Sequence, residues 1–111
     1  MKNIKKWDIY MCDLGDNKRG VQSFKRPCLI MASVENSLTS IVVPISSKTS
    51  HSYMKTHLKI GEESGLIKPS QLLFEQTTTI AKEDIHNKVA EIKDFGMKNK
   101  IKETMKFTLG L

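Results

Sequence analysis

Two cysteines, three prolines, one tryptophan and 6% aromatic residues in 111 leave several chemistries little to work with. Cys12 and Cys28 sit in apolar stretches, make no disulfide framework, and read as small buried hydrophobes with reduced thiols. His51, His57 and His86 have no neighbour at a ligand spacing and no second cysteine pair exists, so no metal is expected. On one extended strand His51 and His57 would stand about 20 Å apart, too far for concerted proton transfer. A glycine-rich phosphate loop, a serine-hydrolase elbow and a paired Cys–His signature are all missing, and no cofactor is expected. No apolar run approaches the roughly eighteen residues that a membrane span requires. Residues 1–6 imitate the charged start of an export signal, but Asp8 and Asp13 interrupt the apolar run such a signal needs next. The expected setting is cytoplasmic, with no membrane anchor.

What is abundant is positive charge. Eighteen Lys and Arg against twelve Asp and Glu give a formal charge of +6 and a pI near 9.4. A polyanionic partner is favoured, whether nucleic acid, an acidic protein or an anionic surface. The length fits a single domain, residues 1–111, built on one core.

Hydrophobic alternation predicts six strands. Residues 8–14 form the first, and Gly15 breaks it. Residues 28–32 are apolar on both faces, as a central strand is. Residues 39–45 form the third, and Pro44 predicts that its ladder stops or bulges there. Residues 56–60 alternate, residues 72–80 read as one long strand rich in β-branched side chains, and residues 88–92 close the set. The period then changes. Asp94 is an N-cap candidate, Met97, Ile101, Met105 and Leu109 recur four apart with Phe95 before them, and Gly110 can end the helix. Short strands followed by one helix predict a small, mostly antiparallel barrel or curled sheet with the helix covering one side.

Polar groups collect at the predicted strand ends. Pro27 forces Arg26 towards extended geometry at the mouth of the second strand, with Lys25 beside it. The guanidinium is permanently charged and its planar fork suits a phosphate. Lys18 and Arg19 lie in the glycine-containing loop ahead of it. Ser46, Ser47 and Lys48 follow the third strand, and Glu75 and Gln76 fall inside the predicted fifth. If these ends converge on one rim, an Arg and a Ser hydroxyl supply charge stabilisation and a donor for a phosphodiester attacked by its own 2′-hydroxyl. Lys18, Arg19, Lys25 and Lys48 are then phosphate contacts.

Taken in order, residues 7–10 (Trp-Asp-Ile-Tyr), the basic loop, Lys25-Arg26-Pro27, residues 41–47 (Ile-Val-Val-Pro-Ile-Ser-Ser), Thr56-His57, residues 73–76 (Leu-Phe-Glu-Gln) and the terminal Leu-Gly-Leu resemble the MazF/PemK/Kid family of type II toxin–antitoxin toxins over nearly the whole chain. The resemblance implies an SH3-like barrel of antiparallel strands, MazF/CcdB-like, that forms a homodimer. It implies a metal-independent, sequence-selective endoribonuclease that cuts single-stranded RNA to 2′,3′-cyclic phosphate and 5′-hydroxyl ends. A MazE-like antitoxin with an acidic segment is the implied partner. By motif position Arg26 and Ser46 are carried over as catalytic, and Ser47, His57, Glu75 and Gln76 as lining the RNA groove with the cations above. The general base is open among Glu75, His57 and a deprotonated Arg26. Trp7 stands where the family usually has Gly, altering the start of the first strand or adding a stacking surface. Thr78-Thr79 stands where many relatives have Arg-Thr. A gyrase poison of the same fold is the alternative, though its activity needs a Trp near the C-terminus and the only Trp here is Trp7. A nuclease-dead nucleic-acid-binding module is another.

Overall fold

The structure, a computed structural model, describes residues 3–16, 21 and 24–111. Strands β1 (Asp8–Asp13), β2 (Lys25–Ser33), β3 (Thr39–Ser46), β4 (His57–Ile60), β5 (Ser70–Leu73), β6 (Thr78–Ala81) and β7 (Ile85–Glu91) precede one helix, α1 (Phe95–Leu109). All pairings are antiparallel, in the order β4-β5-β3-β2-β1-β7, with β6 added on β3. The sheet curls into a half-barrel, as the alternation of apolar residues predicts.

Strand alternation splits the apolar side chains between two faces. Ile9, Leu29, Val43, Ile45, Leu72 and Phe74 join Ile101 of α1 in the larger core. Tyr10, Cys12, Cys28, Ile30, Val42 and Ile85 pack together as a second cluster. Cys12 and Cys28 are free thiols with no solvent exposure, so they are core residues, as their apolar neighbours in the chain predict.

The predicted long strand over residues 72–80 is not continuous. A 3-10 turn over Phe74–Gln76 divides it into β5 and β6, giving seven strands among the described residues rather than six. The outer edge of β3 explains the break. Its first half pairs with β6 (Val42 opposite Thr78), and its last two residues pair with β5 (Ile45 opposite Leu72, Ser46 opposite Gln71). The hand-over falls at Val43 and Pro44, where proline supplies no N–H to a ladder. Phe74, only 1% exposed, anchors the turn in the core. Its carbonyl accepts from the Thr77 hydroxyl at 2.6 Å and the Thr77 N–H at 3.1 Å. Glu75 and Gln76 therefore ride on a turn, not inside a strand.

Two strand starts also move: β2 begins at Lys25 rather than residue 28, and β7 at Ile85 rather than residue 88. Pro27 fits in β2 opposite Met11, close to the strand's start. The helix is capped as predicted. The Asp94 carboxylate accepts from the Met97 N–H at 2.7 Å, and Gly110 takes a left-handed φ of 73°. Its apolar stripe is shorter than the four-apart pattern implies. Ile101 is buried and Met97 and Met105 flank it, whereas Phe95 and Leu109 are 75% and 60% exposed. Only the middle of the helix meets the core.

Candidate active site

Register brings the strand-end residues to one level. Lys59 lies opposite Gln71, Gln71 opposite Ser46, and Arg26 opposite Cys12. Between β2 and β3 the ladder runs to Cys28 opposite Pro44. The paired rungs end there; carried two residues further along each strand, the same register points Arg26 towards the level of Ser46. Even offsets give both residues the same sheet face as Cys28 and Pro44. By the same parity His57, opposite Leu73, shares a face with Gln71 and Ser46. Arg26 is half-buried and Lys25 is exposed at the strand mouth.

The loop after β3 is held by Ser46 and by Gln71, a side chain the sequence did not single out. Ser46 is 6% exposed, and its Oγ accepts from the Lys48 N–H at 3.1 Å, which leaves the hydroxyl proton to be donated elsewhere. The Gln71 amide donates to the carbonyls of Lys48 at 2.8 Å and Ser50 at 3.1 Å. Gln71 is thus a positioning residue, buried at 2% exposure, that fixes how Ser47 and Lys48 reach solvent. At sequence level it read only as a residue preceding the fifth strand, and its partners lie more than twenty positions earlier.

On the next strand the His57 Nε2–H donates to Glu75 Oε2 at 2.9 Å, and the Thr56 hydroxyl donates to Oε1 at 3.1 Å. Burial raises the Glu75 pKa, but the donors from His57, its own backbone and Thr56 outweigh it and hold the carboxyl below its ordinary value. The anion is therefore stable, and both oxygens are committed. The other ring nitrogen of His57 is buried without a partner among the described residues. Sequence reading treated each histidine as lone; the Glu75 turn gives His57 a partner eighteen residues away. His51 instead contacts the Tyr53 hydroxyl at 3.2 Å.

Gln76 and Pro44 line a depression of about 220 Å³ with Leu14, Val21, Thr78, Thr79 and Ile80. A neighbouring one of about 340 Å³ continues past Thr79 to Asp13 and Asp84. Together they make a shallow channel along β6 beside the strand-end cluster. Thr78 is exposed on that wall. Lys18 and Arg19 lie outside the described residues. Among the described residues no three of His, Cys, Asp and Glu gather as a metal ion needs, and no helix is long and apolar enough to cross a membrane.

A curled antiparallel sheet with one C-terminal helix and polar residues at its strand ends puts the chain in the half-barrel class of small, mostly β folds. A family model described as "PemK-like, MazF-like toxin of type II toxin-antitoxin system" matches residues 5–106, and the chain belongs to that family. It is 30% identical to endoribonuclease EndoA of Bacillus subtilis strain 168, over 97% of this chain and 96% of that protein. Among solved structures it resembles Mycobacterium tuberculosis toxin MazF-mt6, with TM-score 0.77 at 19% identity over 94% of this chain and 97% of that one. It also resembles a MazE-MazF complex structure from Deinococcus radiodurans, with TM-score 0.77 at 10% identity over 100% and 99% of the two chains. These two likenesses are of fold; the family rests on the sequence matches.

Proposed function

We propose that this toxin is an endoribonuclease that cleaves single-stranded RNA at the rim carrying Arg26 and Ser46. What supports the reading is the register of the last paired rung, Cys28 opposite Pro44, which, carried two residues further along each strand, brings Arg26 and Ser46 to one level and face. The 2′-hydroxyl gives up its proton to water and attacks the adjacent phosphorus, the bond to the 5′-oxygen breaks as that oxygen takes a proton from the Arg26 side, and a 2′,3′-cyclic phosphate and a 5′-hydroxyl result. Negative charge builds on the non-bridging oxygens as this happens. The Arg26 guanidinium faces that charge and the departing oxygen, and Ser46 donates its hydroxyl proton to a non-bridging oxygen. In this reading Arg26 and Ser46 supply the charge neutralisation, and no step is routed through a metal.

Glu75, anionic and fully engaged, serves to orient His57 and the turn that carries Gln76 rather than to accept a proton. Lys18, Arg19, Lys25, Ser47 and Lys48 hold flanking phosphates, and Gln76 with the β6 channel reads bases next to the cut, which gives sequence selectivity. The net charge of +6 favours this substrate and also a MazE-like antitoxin that presents acidic side chains to the same rim. In this reading the toxin works in the cytoplasm as a homodimer.

The test is incubation with a long single-stranded RNA in excess chelator, followed by mapping of 5′-hydroxyl ends. Cleavage at a restricted set of sequences is expected. Arg26→Ala should slow it by about a hundredfold or more at unchanged circular dichroism. Retained cleavage by that variant removes Arg26 from the chemistry.

A further inference from the structure

Trp7 adopts a left-handed backbone, φ 81°, which a bulky L residue seldom tolerates. The fold holds it there: its N–H donates to the Ile30 carbonyl at 3.0 Å, and its carbonyl accepts from the Ile92 N–H at 2.8 Å. The half-buried ring leans on the larger core. Three ammonium groups surround it, Lys6 at 5.0 Å, Lys98 at 5.5 Å and Lys102 at 6.0 Å from the ring centroid. Lys98 and Lys102 are one turn apart on α1, a spacing at which like charges oppose the helix. The ion pairs formed among the described residues engage none of these three. A strained aromatic and mutually repelling cations thus meet at one spot, each locally unfavourable, which is how binding sites depart from local preference.

We infer that Trp7, Lys6, Lys98 and Lys102 form a second contact site for single-stranded RNA, with a base against the indole and phosphates on the ammonium groups. An acidic peptide would satisfy the lysines but make no use of the ring. A nucleotide uses both, because every base has a π-face and every linkage a charge. The site is separate from the cleavage rim. Trp7 precedes β1, whose stretch from Asp8 to Cys12, the partner of Arg26, spans about 13 Å, and it packs with the helix-side core. It therefore takes a part of the RNA remote from the scissile bond. The inference rests on the RNA reading proposed above.

Trp7 is the only tryptophan, so intrinsic fluorescence reports this site alone. The probe is a 2′-O-methyl oligonucleotide, which binds but lacks the attacking hydroxyl and cannot be cut. Titration into the intact protein should quench Trp7 saturably. The affinity should weaken with salt by about 0.7 log units per phosphate contact. A Lys98→Ala/Lys102→Ala variant, whose alanines favour the helix, should lower that slope by about 1.4 and weaken binding roughly tenfold. Binding seen by anisotropy of a labelled oligonucleotide without any change at Trp7 overturns the inference while leaving the cleavage reading intact. Equal quenching by polyglutamate or inorganic polyphosphate also overturns it, since neither carries a base. No anisotropy change at all removes the RNA reading itself, and the second site with it.

Discussion

The Nε2 of His57 lies 2.9 Å from Oε2 of Glu75, joining the start of β4 to the turn between β5 and β6. The imidazole is 6% exposed and the carboxylate 33%. A turn that interrupts a strand needs something to hold its outward residue. Here a buried ring does so from one side, while Phe74 anchors the turn from the core. The same contact fixes the tautomer of His57, because the carboxylate can only accept.

Removing the carboxylate should therefore loosen the turn. Glu75→Ala leaves a second buried nitrogen of His57 without a partner, a penalty of about 1–3 kcal/mol. Urea unfolding should show a lower midpoint at unchanged slope. Glu75→Gln, which keeps an acceptor, should recover part of the loss.

The Glu75 pKa is held below its ordinary value, which fixes the sign of one pH effect. A carboxyl depressed in the folded state stabilises the protein at pH above its unfolded value, roughly 4.3, and that stabilisation is lost as pH falls through the folded value. Stability measured from pH 6 down should decline on the acid side. Glu75→Gln should show a smaller decline there, and equal acid sensitivity of the two proteins would contradict the assignment.

Gln71 ties down two loop carbonyls from inside β5. Gln71→Leu keeps the volume but leaves both carbonyls unpaired, so a loss of about 1–3 kcal/mol is expected. With Ser46 and Lys48 no longer held in place, RNA cleavage should slow by more than the stability loss explains. The ratio of kcat/KM to folded fraction is the measurement.

Cys12 and Cys28 lie on adjacent strands without solvent exposure. The neighbouring Cys12 thiol and then burial push the Cys28 thiol well above its usual range. Neither thiol should react with an alkylating reagent in the native protein, and both should react in denaturant. Mass spectrometry of the labelled chain distinguishes the two states.

Much of this was legible in the residues. Alternation located β1, β3 and β4, the change of period located α1, and Asp94 and Gly110 cap it as their types require. Arg26 was legible because the following proline restricts it. The division of residues 72–80 was not, because nothing between Leu72 and Ile80 breaks a strand by local preference. The cause lies on β3, where Pro44 ends one pairing and lets the turn form opposite it. Phe95 and Leu109 match the helical period yet meet no core, since where the sheet ends is not written in the helix.

The sequence by itself determined most of the elements, the positive charge, the buried thiols and the order of motifs that identifies the family. These depend on neighbours within a few positions or on composition. Only the tertiary structure decided that His57 meets Glu75, that Gln71 holds the Ser46 loop, and that Lys98 and Lys102 come to Trp7. Each joins segments far apart in the chain, and such pairs are fixed by sheet register and helix docking rather than by local preference.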